Sequence, residues 1–143
     1  MLNDILAGLV CGLFMGTISL GAVIFIFFSN RNIYDRLAKR LPAGIPPTLV
    51  MLSLVVGLPP TWAIFGAIVG ALYNLAADAF PSAGLGSPNS IFTLAIICLT
   101  VLLMLPPLFL IIKRKKLGWV FVIVNLVFVG IFGWILPLFA NWR

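Results

Sequence analysis

The chain reads as all-α: a polytopic membrane protein, residues 1-143 forming a single transmembrane domain of four helices, with Pro-Pro breaks in the second and third. Three observations carry that reading. Hydrophobic residues fill 63% of the 143 positions and charged residues only 8%, with a mean hydropathy of +1.25, whereas a soluble domain is about 45–50% apolar and about 25% charged. The apolar residues gather into four runs, each long enough at about 1.5 Å per residue to cross a hydrocarbon core of about 30 Å. The cations cluster. Arg31, Arg36, Lys39 and Arg40 form one group, and Lys113, Arg114, Lys115 and Lys116 the other, with Arg143 apart. Four spans bring both groups to one side of the bilayer, as the positive-inside rule requires. The net charge of +6 is thereby a topological signal, and a nucleic-acid partner is not expected. The expected location is the plasma (cytoplasmic) membrane, with both termini outside and the basic loops cytoplasmic.

The first span covers residues 5–28. Only Asp4 is charged before it, and a cleaved signal peptide would need a basic start and a small-residue cleavage site, so the segment should stay as an anchor. Gly8, Gly12 and Gly16 recur every four residues, with Ser19 nearly on the same face. Such a small-xxx-small stripe lets another helix approach closely, within the chain or in a second copy.

Residues 29–47 form the first inner loop. Asn32 can cap a short helix over 32–41 whose Ile33, Leu37 and Leu41 share a face, Asp35 can pair with Lys39, and Pro42 stops it. The result is an amphipathic helix lying on the inner surface, its basic face suited to anionic lipid headgroups or to docking a cytoplasmic partner.

The second span, residues 48–73, has no ionisable group except the Tyr73 phenol and is interrupted by Gly57-Leu58-Pro59-Pro60. Pro59 and Pro60 supply no N–H, so the carbonyls of Val55 and Val56 lose their helical partners where water is scarce. The echo of Gly44-Ile45-Pro46-Pro47 at a helix start suggests two half-helices. A re-entrant segment over 48–58 is the alternative. Past the break, Gly66 and Gly70 make a second close-approach stripe beside Ala63, Ala67 and Ala71. Residues 74–90 read as the outer loop, with Asp78 as its one charge.

The third span, residues 91–112, contains Pro106 and Pro107 near its inner end, and the fourth, residues 117–136, follows after a short KRKK turn as the other arm of an antiparallel hairpin. Trp119 and Trp134 sit at the two interfaces, with Trp142 beyond, and Pro137 is expected to end the helix.

Depth counting assembles one constellation. From the inner surface, the Val55 and Val56 carbonyls and the Asn125 amide lie roughly 11–12 Å deep, Ser19 about 13 Å, and Thr17, Thr61 and Thr100 about 16–20 Å. Asn125 is expected to donate to the Val55 or Val56 carbonyl across the break, as interhelical glue or as the lining of a polar path. No His is present, and Cys11 and Cys98 form no CxxC, so neither a metal nor another cofactor is expected. The only acids are Asp4, Asp35 and Asp78, all at ends or in loops. A catalytic site is therefore not expected. The function expected is a structural or accessory subunit of a membrane complex, with protein partners or a homo-oligomer; a small oligomeric channel or transporter using the broken helix and polar layer is the alternative.

Overall fold

The computed structural model describes residues 1–29, 31–42, 44–79, 90–113 and 115–141, and side chains within these except at 31, 33, 34, 37, 77–79, 90, 104–113, 115–117 and 141. Every element is helical: α1 (Leu2–Ser29), α2 (Arg31–Arg40), α3 (Pro47–Ala79), α4 (Ser90–Lys113), α5 (Lys115–Phe128), a π-helical stretch (Val129–Ile135) and α6 (Leu136–Asn141). Among the described residues, three helical stretches are long and apolar enough to cross a membrane, Leu2–Ser29, Pro47–Ala76 and Gly118–Ala140, and α4 adds the shorter Ile91–Leu103. α5, the π stretch and α6 follow one another without a gap, so the bundle has four rods.

α1 and α3 are antiparallel and pack backbone against backbone. A Cβ added at Gly8 would overlap the Gly66 carbonyl oxygen and lie 2.9 Å from the Gly70 Cα. One added at Gly12 would lie 2.8 Å from the Trp62 carbonyl carbon and 2.9 Å from the Ala63 Cα, and one at Gly16 would lie 2.7 Å from the Pro59 Cα. The glycines of each helix therefore fill the hollow left by those of the other, which is how two helices come this close. At the end of the seam beside the chain start, Asn74 Nδ2 donates to Asp4 Oδ2 at 2.9 Å. Between α2 and α3 the chain turns through Gly44, at φ 109°, a left-handed conformation that a side chain would strain.

The other two rods complete the core. Cys11 and Met15 of α1, Val69 and Tyr73 of α3, Phe92 and Ile96 of α4, Phe128 of α5, Phe132 of the π stretch and Leu136 of α6 are all buried together. Tyr73 meets Phe92 edge-to-face at 4.9 Å between ring centroids. This core occupies the half of the bundle that carries the chain ends. In the half near the cationic segments, residues 20–29 of α1, 47–62 of α3 and 119–127 of α5 include none that is buried. Among the described residues the burial is concentrated toward the end that carries the chain termini, with Gly118 the buried residue at the cationic end of the fourth rod.

Several sequence expectations are corrected. α3 is one unbroken helix of 33 residues with Pro59 and Pro60 inside it, not two half-helices or a re-entrant loop. In lipid a true break would strand about four N–H and four C=O groups, whereas continuing through the prolines strands only two carbonyls. α4 likewise runs unbroken through Pro106 and Pro107. Asn74 belongs to α3, which extends to Ala79, rather than to a loop. Pro137 does not end the fourth rod: it is fully buried, and α6 carries the helix on to Asn141. Widening the helix to a π form just before Pro137 accommodates a ring that would otherwise clash with the carbonyl one turn back. The Leu136 N–H accordingly reaches back five residues, to Ile131 O.

Candidate functional site

Two polar features come out of this arrangement, together with several cavities, of which the one beneath Trp62 has polar side chains from two rods in its wall. The first is a cross-helix hydrogen bond that sequence reasoning missed. Pro137 has no N–H to give to Gly133 O, its partner in a regular α-helix. The Thr93 hydroxyl of α4, completely buried, donates to that carbonyl at 2.7 Å. The signal was available: the same proline arithmetic that singles out Val55 and Val56 singles out Gly133 once Pro137 is taken as interior.

The second feature is the expected polar layer, which the structure brings together only in part. Asn125 Nδ2 donates to Phe121 O at 2.8 Å, one turn back in its own helix, and not to Val55 or Val56. Thr61 Oγ1 donates to Gly57 O at 2.7 Å and Thr100 Oγ1 to Ile96 O at 2.7 Å. The physical reason is local competition: in an apolar medium a short polar side chain is satisfied most cheaply by the carbonyl three or four residues behind it. Ser19 is the exception. It is buried, and its hydroxyl makes no hydrogen bond. The antiparallel register that pairs Gly12 with Trp62 and Gly16 with Pro59, carried one turn further, sets Ser19 opposite Val55 and Val56. Thr17 Oγ1 turns to Phe14 O at 2.8 Å.

The cavity lies where the rods begin to part. It has a volume of about 430 Å³ and is lined by Met15, Thr61, Trp62, Phe65, Leu103, Phe121, Val124, Asn125 and Phe128. Its roof is aromatic. Trp62 stacks over Phe132 at 6.4 Å and 25° and meets Phe65 edge-to-face at 5.5 Å, while Phe128 packs on Phe132 at 4.9 Å. These rings pair α3 with the fourth rod and close one end of the space. Among the described lining residues, Thr61 and Asn125 are the hydrogen-bonding side chains besides the Trp62 indole.

Among the remaining expected site residues, Gly8, Gly12, Gly16, Gly66 and Gly70 form the α1–α3 seam described above. Arg36, Lys39 and Arg40 are exposed on α2. The side chains of Arg31, Lys113, Lys115, Lys116 and Asp78, and Arg114 entirely, lie outside the described residues. Among the described residues no three Cys, Asp or Glu side chains converge. Cys11 is buried and Cys98 exposed, so they face different surroundings. No protein-family model, curated protein or solved structure matches the chain, so function is read from geometry alone.

Proposed function

We propose that this chain is a non-catalytic integral membrane protein of four transmembrane helices, serving as a structural or accessory subunit of a membrane protein complex. The observation that carries this reading is where the polar side chains point their hydrogen bonds. Thr17, Ser53, Thr61, Thr100 and Asn125 each donate to a carbonyl of their own helix at 2.7–2.8 Å. An ion or water path needs such groups turned into a shared lumen. Here they are folded back, and what the helices present outward is apolar: Leu6, Val10 and Phe14 on α1, and Ile64, Ile68 and Leu72 on α3, are all exposed. Faces of this kind suit lipid or the helices of a partner.

Four crossings place both cationic segments on the cytoplasmic side of the plasma membrane and both termini outside. On that side Arg36, Lys39 and Arg40 of α2 meet anionic headgroups, at about 1 kcal/mol for each cation near the surface.

A small oligomeric channel or transporter is the second reading. Its support is the buried Ser19 hydroxyl without a partner, opposite the two carbonyls that Pro59 and Pro60 leave free. Purification from native membranes in mild detergent followed by native mass spectrometry separates the two. A fixed-stoichiometry assembly with other chains is expected. A homo-oligomer that conducts ions in liposomes, with flux abolished by Asn125→Leu, overturns the subunit reading.

A further inference from the structure

We propose that the cavity beneath Trp62 is a binding site for an uncharged, ring-bearing lipophilic molecule that carries a carbonyl or hydroxyl oxygen. Its volume of about 430 Å³ lies within the range of about 300–1,000 Å³ typical of small-molecule sites, which are mostly apolar with a few placed polar groups. The walls follow that pattern. Trp62, Phe65, Phe121 and Phe128 supply aromatic faces and edges, and Met15 adds a polarizable sulfur side chain, surfaces that favour a flat ring over a flexible chain.

The polar groups set the rest of the specificity. Asn125 spends one N–H on Phe121 O, which fixes the orientation of its amide; the other N–H and the Oδ1 acceptor remain for a ligand. Thr61 spends its one O–H on Gly57 O and keeps acceptor capacity on the cavity wall. A ligand carbonyl is therefore received by the Asn125 N–H, and a ligand hydroxyl by Asn125 Oδ1 or Thr61 Oγ1. An acyl chain would leave all three unused. No ionisable side chain lines the described walls, so a charged ligand would arrive without a counter-ion in a medium where that is costly.

Access fits a ligand dissolved in lipid. Asn125 lies roughly 11–12 Å from the inner surface along the fourth rod, well inside a hydrocarbon core of about 30 Å. A ligand of this chemistry partitions into the bilayer, so it would reach the cavity from lipid and needs no aqueous route. The site is independent of whether the chain is a subunit or a channel.

The test uses the full chain in lipid nanodiscs, with Trp119, Trp134 and Trp142 replaced by Phe so that Trp62 is the sole indole. A decyl-substituted benzoquinone, which quenches indole fluorescence on contact, is the probe. Saturable quenching is expected, with the apparent Kd raised about fivefold by Asn125→Leu, the effect of one lost hydrogen bond. Thr100→Val, which removes a hydroxyl outside the cavity, should leave it unchanged. Neither Asn125→Leu nor Thr61→Val deletes a bond between helices, so both variants should fold, and a native circular dichroism spectrum checks this. Quenching that rises linearly without saturation, or that is identical in Asn125→Leu, overturns the proposal. So does displacement of the quinone by added phospholipid, which would assign the cavity to an acyl chain.

Discussion

Replacing Gly12 by Ala should loosen the whole α1–α3 pair, while the same change at Gly57 should not. The new methyl at Gly12 would sit 2.8 Å from the Trp62 carbonyl carbon and 2.9 Å from the Ala63 Cα, where unstrained carbon pairs want about 3.5–4.0 Å. Backbone atoms cannot rotate away, so the helices must part by about 1 Å. A gap of about 0.5–1 Å forfeits a quarter to a half of each dispersion contact, and it would act along a seam from Asp4 to Gly16 about 18 Å long. Overpacking of this kind costs about 1–3 kcal/mol. At Gly57 no neighbouring atom lies within 4 Å of the added methyl, and exchanging helical Gly for Ala gains up to about 1 kcal/mol. The propensity gain is common to both positions and cancels, so the two alanines should differ by the overpacking cost, about 1–3 kcal/mol, with Gly12→Ala the less stable. Unfolding in mixed micelles of rising sodium dodecyl sulfate fraction, followed by near-ultraviolet circular dichroism, measures the difference. Equal midpoint shifts would refute the argument. A Gly12→Ala chain with native stability but altered oligomeric state would show that the α1 glycines pack between copies instead.

Thr93→Val should cost about 1 kcal/mol by leaving the buried Gly133 carbonyl without this donor, and Thr93→Ser should restore most of it; in a Pro137→Ala background the cost should fall toward zero, because residue 137 then carries its own N–H. A double-mutant cycle on the same unfolding assay reads this coupling, and equal costs in both backgrounds would dismiss the proline explanation. Asn74→Leu should destabilise by about 1 kcal/mol, since it removes the 2.9 Å bond to the partly buried Asp4 carboxylate. The loss should be smaller when Asp4→Leu is made as well, and strictly additive losses would mean the pair does not act as one.

What the sequence revealed and what it hid follow from the same chemistry. Helix positions were legible because long apolar runs leave lipid-embedded backbone no other way to satisfy itself; α1 and α2 begin and end within a few residues of expectation. The glycine stripes announced a close approach without its partner, since spacing within one helix states how near a neighbour comes and not which neighbour it is. The polar layer misled for a definite reason: depth matching assumes that donors reach across, yet Asn125, Thr61 and Thr100 each found a carbonyl on their own helix.

Burial decides when reaching across becomes necessary. Val56 is 66% exposed, at the edge of the bundle, and among the described residues no side-chain hydrogen bond from another helix reaches its carbonyl. Gly133 is buried beside a proline that is fully enclosed, and there a threonine from the next rod donates at 2.7 Å. A proline in a membrane helix therefore calls for a cross-helix donor only where the carbonyl it frees faces the interior. Locating that donor requires knowing which face is interior, and a helix as apolar all round as the fourth rod does not carry this in its sequence. In the fourth rod the structure supplies it through Phe132 and Leu136, both with no exposed surface, which set the Gly133 carbonyl on the interior side, toward Thr93 of α4.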